Sequence, residues 1–139
     1  MRPSYAIDLA HGCIFVKWGQ ILAFPDMVAF HKELVQDPDY RSGLNKLTDM
    51  RQANIDSQSN EIEEIVSDIA NRSGDEGDRK VAFLVGRNNE FGLARMIDMM
   101  TDQTQTALRP FWRLDDALAW LVLPETLGDD LSPAFLATR

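Results

Sequence analysis

The chain has 139 residues, of which 45% are hydrophobic and 26% charged, and a formal net charge of −8. These values are typical of a single globular domain with an ordinary core. The acidic balance, with no basic run longer than Arg79 and Lys80, disfavours binding to nucleic acid or to anionic lipid headgroups.

Cysteine content and hydropathy bear on the cellular compartment, on membrane insertion and on metal binding. Cys13 is the single cysteine, which excludes an internal disulfide and a multi-cysteine metal site. No apolar run approaches the ~20 residues that span a bilayer, and the amino-terminal residues lack the apolar core of a signal peptide. We therefore predict a cytoplasmic protein without membrane insertion and without a cofactor or metal.

The amino-terminal residues are predicted to form a β-hairpin followed by a helix. Residues 4–10 alternate as a half-buried strand does, and residues 13–19 form a second, more apolar strand after a His-Gly turn. The Phe-Pro-Asp segment at 24–26 favours a helix start, because proline suits the first position and aspartate the positive end of the dipole. This helix is predicted to end near Gln36.

The middle of the chain alternates between strand and helix patterns. A third strand is predicted over 44–50 and the clearest helix over 54–74, where isoleucine and valine recur at i, i+3, i+4 and i+7. A buried strand over 80–86, a turn over 87–89 and a helix over 90–103 follow. These alternations predict parallel strands joined by right-handed crossovers.

The carboxyl-terminal segment is predicted to add one strand and one helix. The strand lies within 105–113, near a sheet edge, because Pro110 cannot donate to a ladder. The helix covers 114–123 with Asp115 as N-cap, and residues 124–139 form a tail.

The predicted fold is thus an α/β domain over 1–123. It has a mixed sheet of about five strands and four helices, in the order β-β-α-β-α-β-α-β-α.

A glycine turn between a buried strand and a helix, at 86–92, raises the question of a phosphate-binding loop. The segment GRNNEFG lacks the Lys and Ser/Thr that follow the second glycine of a P-loop, and Glu90 would repel an anion. The dinucleotide pattern G-x-G-x-x-G is also absent. We interpret the segment as a plain turn.

No catalytic or metal-binding set emerges from the remaining residues. His11 and Cys13 could share one side of a strand, but zinc needs three or four ligands, and His31 lies in a predicted helix. The sequence identifies no general base that would activate Cys13 as a nucleophile. The acidic pairs at 63–64 and 115–116 are expected on solvated helix faces. We predict that the protein is not an enzyme.

Two polar pairs are candidate sites. Asp49 and Arg51 point the same way at the predicted end of a strand, where ligands gather in open α/β sheets, and an ion pair that fixes the loop after this strand is the preferred alternative. Ser57 and Ser59 near a helix N-terminus are candidate phosphorylation sites, with capping as the alternative.

A methionine-rich stripe is the third candidate. Leu93, Met96, Met99 and Met100 lie on the helix predicted over 90–103, and methionine side chains adapt to irregular apolar partners. The stripe could line a groove for a lipid-like ligand or contact a second subunit, and core packing is the alternative.

Four motifs occur in a familiar order and spacing across about residues 4 to 122. They are DPDYRSGL (37–44), LTDMR (47–51), FGLARM (91–96) and LDDALAWL (114–121). Together they resemble the SpoIIAA-like branch of the bacterial STAS domains (sulphate transporter and anti-sigma-factor antagonist), a group often described as STAS/SEC14-like.

The resemblance implies a mixed sheet with helices packed beside it and a non-catalytic regulatory role exercised through protein binding, including self-association as a homodimer. In the anti-sigma antagonists a phosphorylatable serine follows the third strand. Ser57 is the nearest match and Ser59 the second, although the Asp-Ser-Ser-Gly pattern is absent here. SEC14-type relatives bind lipids in an apolar pocket, so a small apolar or lipid-like ligand is the alternative partner.

Overall fold

The computed structural model describes residues 3–56, 64, 67, 68, 78–100, 106–124 and 127. The strands are β1 (Ser4–Asp8), β2 (Cys13–Ala23), β3 (Asn45–Asp56), β4 (Arg79–Leu84) and β5 (Thr106–Phe111). The helices with defined bounds are α1 (Phe24–Leu34), α2 (Asn88–Met100) and α3 (Leu114–Trp120).

One five-stranded sheet organises the domain, with spatial order β1-β2-β3-β4-β5. The first pair is antiparallel and the three others are parallel, so the predicted α/β class and mixed five-stranded sheet are confirmed. The helix predicted over 54–74 falls mostly outside the described residues, although Glu64, Ser67 and Asp68 within it are helical.

The helices cover the two faces of the sheet unequally. Each parallel strand is added on the same side of the previous one, so right-handed crossovers place their helices on one common face. Phe30 and Leu34 of α1 and Ala94 and Ile97 of α2 accordingly share one apolar core, the first core. The second core lies on the opposite face, where α3 packs through residues that include Leu118.

Two of the predicted boundaries differ in the structure. Residues 54–56, assigned to a helix from the sequence, instead extend β3, because they pair with residues 21–23 of β2. The predicted N-cap of the last helix was also wrong: Arg113 holds that position in extended conformation, and the buried Leu114 is already helical.

The outer edge of β5 is unsuited to strand addition. The carbonyl of Phe111 accepts a hydrogen bond from the Val85 N–H (2.8 Å), so the backbone polar groups of Phe111 face β4. Alternation along the strand then turns the nitrogen of Pro110 outward, where it has no hydrogen to donate. Pro110 lies on an edge strand, as predicted.

The second core extends past the predicted domain boundary at residue 123. Leu127 is buried there, and its N–H donates to the carbonyl of Pro124 (3.0 Å). None of the helices in the described part of the chain has the length and apolarity needed to cross a bilayer.

Candidate functional site

A β-bulge shapes the sheet where β4 ends. Lys17 of β2 pairs with Asp49, but Gly19 pairs with Gln52, so a single residue of β2 opposes two residues of β3. The ladder between β3 and β4 ends at the same point, at the Asp49–Leu84 pair. The bulge therefore falls at the carboxyl end of β4, where open α/β sheets place their ligands.

Asp49 and Arg51, the candidate strand-end pair, are brought together at this bulge. The guanidinium of Arg51 spans both carboxylate oxygens of Asp49, with Nε–Oδ1 at 3.0 Å and Nη2–Oδ2 at 2.8 Å. The Arg51 backbone N–H also donates to Oδ1 (3.0 Å). The Asp49 side chain is buried and that of Arg51 is nearly so. The geometry is that of a bidentate ion pair, which holds the bulged backbone in place.

Gly86 meets the bulge from the neighbouring strand. A Cβ at this position would lie 2.9 Å from the carbonyl oxygen and 3.3 Å from the Cα of Arg51. The glycine therefore permits close contact between two backbones, which explains the residue without any phosphate ligand.

Glu90 fills the position where a phosphate loop would hold its anion. Its side chain is only 1% exposed at the start of α2, where a carboxylate complements the helix dipole. The Arg87 guanidinium donates to both oxygens, at 3.1 Å and 2.8 Å, which raises the pKa of Arg87 above its ordinary value. Arg87 also donates to the side chain of Asn54 on β3. The carboxylate of Glu90 therefore supplies the anion of this turn from the chain itself.

The outward face of α2 is the main exposed apolar feature of the described residues. Met96 and Met100 are each 47% exposed and Met99 is 69% exposed. Leu93, which the sequence analysis grouped with them, instead packs against the first core. We call the three exposed methionines, together with Gly92, the methionine face; a Cβ on Gly92 would meet nothing within 4 Å.

Trp112 enlarges this apolar surface. Its ring is 45% exposed and stacks on Phe91 of α2, with centroids 4.8 Å apart and an interplanar angle of 9°. Trp112 and the three methionines are thus four exposed large apolar side chains on or against α2, and exposed apolar surface of this kind often marks an interaction site. The exposed residues of α2 include Arg95 and no carboxylate, while Asp98 on the same helix is partly exposed.

A cavity of about 80 Å³ lies between the sheet and the helices of the first core. Its apolar lining comes from α1, α2 and strands β2, β4 and β5, through Val16, Trp18, Met27, Phe30, Val81, Phe83, Ile97 and Leu108. Its polar lining among the described residues consists of His31, Lys46, Thr48, Asp68, Arg79 and Thr106. Of these six polar residues, only His31 was considered as a site residue from the sequence. The available signal was a set of polar residues at inward positions of otherwise apolar strands.

The remaining candidates do not come together. His11 is bound to Asp8 in the hairpin turn (Nδ1–Oδ2 2.7 Å), whereas Cys13 is fully buried in the second core and His31 borders the cavity. No group of three or more potential ligands for a metal ion occurs in the described segments. Ser57 and Ser59 lie outside them.

The acidic pairs take solvated positions where they are described. Glu64 is exposed, and Glu63 lies outside the described residues. Asp115 pairs with the exposed Arg113 (Oδ2–Nη2 3.0 Å, Oδ1–Nε 3.1 Å), and Asp116 is exposed beside it.

Comparison of the chain with models of protein families, with curated proteins and with solved structures gives no match. The STAS resemblance therefore rests on the four sequence motifs and stays a prediction.

Proposed function

We propose that this chain is a non-catalytic, STAS-like regulatory module that associates with a protein partner through the methionine face of α2, and that a second copy of the chain is such a partner. The observation that carries the proposal is the exposure of Met96, Met99 and Met100 on α2, the helix against which the exposed Trp112 stacks through Phe91. Aromatic and methionine side chains are enriched in protein interfaces relative to the rest of the surface.

The edges of the sheet favour a helical interface over strand addition. On β5 the outward nitrogen of Pro110 interrupts the row of donors that a new strand would need. On the other side, β1 has only five residues. The helix α2 is 13 residues long, and its exposed methionines make its solvent face the more apolar surface.

The charge distribution supports a second copy as the partner. Two molecules of net charge −8 repel each other, and a contact surface without exposed carboxylates minimises the repulsion. The methionine face meets that condition, and Gly92 leaves space on it for a methionine from the other molecule. Because the residual repulsion is screened by salt, association should strengthen as ionic strength rises.

The size of the patch sets the expected strength. Four exposed side chains supply only part of the roughly 800 Å² that each partner buries in a standard stable interface. The association should therefore be weak and concentration-dependent. It should be visible at high protein concentration and lost on dilution.

Matched aspartate substitutions test the proposal. Met99→Asp should leave the fold intact and abolish the dimer in native mass spectrometry, because position 99 is solvent-facing. Val35→Asp, at an exposed apolar position outside the methionine face, is the control and should leave the dimer unchanged. Leu93→Asp should unfold the domain, because Leu93 packs on the first core. A monomer at all concentrations for the wild-type chain, with no partner retained, would remove the proposal.

A second candidate function is the binding of a small ligand within the first core. The cavity between sheet and helices favours it, since it has an apolar lining with a few convergent polar groups. Its volume of about 80 Å³ is well below the ~300–1,000 Å³ of sites for drug-sized ligands. A small ligand fits this volume better than a membrane lipid does. Native mass spectrometry of purified protein would show a co-purified species.

The family resemblance also keeps Ser57 and Ser59 as proposed phosphorylation sites. Ser57 directly follows β3 in the sequence and Ser59 lies two residues further on, and a phosphate on either would add a charge of roughly −1.5 to −2. Peptide mapping of the protein from its native cell tests this, and the absence of phosphate from both serines across growth conditions would remove the idea.

A further inference from the structure

The methionines of α2 form a group of accessible sulfur atoms. Met96, Met99 and Met100 stand at positions i, i+3 and i+4 of the helix, and such residues are neighbours on a helix surface, with about 5–6 Å between their Cβ atoms. Each side chain is at least 47% exposed, so small solutes reach its thioether. These thioethers lie on the surface that the proposed function assigns to self-association.

The other sulfur atoms of the described residues are shielded. Met50 is 2% exposed in the first core, and Met27 is partly buried against the same core. Cys13 is fully buried, and burial raises the pKa of its thiol to about 12, so the reactive thiolate is almost absent at neutral pH. An oxidant dissolved in water therefore meets the methionine face before any other sulfur in the described part of the chain.

Hydroperoxides convert an exposed thioether to a sulfoxide. The sulfur lone pair forms an S–O bond with one oxygen of hydrogen peroxide, the O–O bond breaks, and the other oxygen leaves as water with the proton of the transferred oxygen. Sulfur loses two electrons and the peroxide gains them. A methionine sulfoxide reductase reverses the change, because two thiols become a disulfide and the sulfoxide oxygen leaves as water.

From this placement we infer that the methionine face is an oxidation site, and that its conversion to sulfoxide by hydroperoxides switches self-association off. This regulation rests on the proposed function, because it acts on the same interface. A two-fold dimer contains each residue twice, so one sulfoxide per chain puts two polar groups into the contact. Water satisfies a sulfoxide on the free surface, whereas an apolar contact does not. Dimerisation should therefore weaken by at least about tenfold.

Association should in turn protect the methionine face. In the dimer the second chain covers these thioethers, so peroxide reacts with the monomer. Raising the protein concentration should slow the oxidation of Met96, Met99 and Met100 by mass action. The oxidation of Met27, which belongs to α1, should keep its rate.

Peroxide treatment followed by mass spectrometry locates the modification. At low protein concentration, sulfoxide should appear first in the tryptic peptide that begins at Met96 and only later at Met50, while the circular dichroism spectrum stays unchanged. Sedimentation equilibrium at high protein concentration should show that the oxidised sample has lost its dimer. Treatment with methionine sulfoxide reductase and dithiothreitol should restore it.

Leucine variants separate oxidation from apolar contact. The triple variant Met96→Leu, Met99→Leu, Met100→Leu keeps apolar side chains of similar volume and has no sulfur on the methionine face. It should dimerise as the wild type does and should keep its dimer after peroxide treatment. Met27→Leu is the matched control. It retains the thioethers of α2 and should lose its dimer in peroxide as the wild type does.

Three results would overturn the switch. They are a wild-type dimer of unchanged Kd after the methionine face is oxidised, oxidation of Met50 ahead of the methionine face, and equal loss of the dimer in the peroxide-treated triple leucine variant. An untreated wild-type chain that stays monomeric at every concentration removes the proposed function and the switch together. The state of the untreated protein therefore distinguishes the two failures.

Discussion

Replacing Gly86 by alanine tests why a glycine follows β4. The added Cβ would lie 2.9 Å from the Arg51 carbonyl oxygen, and that oxygen belongs to a backbone fixed by the bulge and by the Asp49–Arg51 ion pair. Neither backbone can move without disturbing the sheet, so the substitution overpacks the site at a cost of about 1–3 kcal/mol. The lower entropy of alanine in the unfolded chain returns about 0.4–1 kcal/mol.

The net expectation for Gly86→Ala is a loss of about 1–2 kcal/mol, or a fall in Tm of roughly 3–6 °C for a domain of this size. Urea denaturation followed by circular dichroism measures the free energy of unfolding directly. Gly92→Ala is the matched control, because a Cβ there meets nothing within 4 Å. In a helix that change should stabilise by about 0.5–1 kcal/mol. A Gly86→Ala protein as stable as the wild type would refute the close-approach argument.

Three further predictions concern single side chains. Val122 has a φ of +58° and is 81% exposed, so Val122→Gly should raise the free energy of unfolding by about 1 kcal/mol, with Val122→Ala giving no comparable gain in the same urea assay. Burial raises the pKa of the Cys13 thiol to about 12 from 9.0. Because the pKa is higher in the folded state, the contribution of the thiol to stability is complete below pH 9 and is lost as pH rises toward 12, by up to about 1.4 kcal/mol per pH unit. Cys13→Ala should remove that part of the alkaline dependence. The hydrogen bond from the Tyr5 hydroxyl (2.6 Å) lowers the pKa of Asp37, so Tyr5→Phe should raise the Asp37 pKa in an NMR titration and reduce the loss of stability seen as pH falls through that range.

Local sequence signals were sufficient for most of the fold. Alternation in β1, the apolar runs of β2 and β4 and the helical stripe of α2 each depend on residues close together in the chain. The edge position of β5 followed from one residue, Pro110. The end of β3 did not follow, because the pairing of residues 54–56 with β2 is a long-range interaction that overrides a local helix-start pattern.

The candidate sites were less accessible from the sequence. The helical pattern placed Leu93 and the methionines on one stripe, but it could not separate the core side from the solvent side, which depends on how α2 sits on the sheet. The charge of Glu90 argued against a phosphate loop. The burial of its carboxylate and its ion pair with Arg87, however, depend on how the turn folds against the start of α2. The cavity at Arg79 required three strands in register, and no local pattern reports that register.

Disulfide cross-linking of a single introduced cysteine tests the central claim about α2 most directly. Cys13 is fully buried and its raised thiol pKa leaves it unreactive, so Met96→Cys provides one reactive thiol near the middle of the methionine face. Two-fold symmetry brings a residue near the axis close to its own copy. Mild oxidation should therefore convert Met96→Cys to a disulfide-linked dimer, and faster at higher salt, whereas Val35→Cys should stay largely monomeric. Equal, slow cross-linking of the two variants would contradict association through α2.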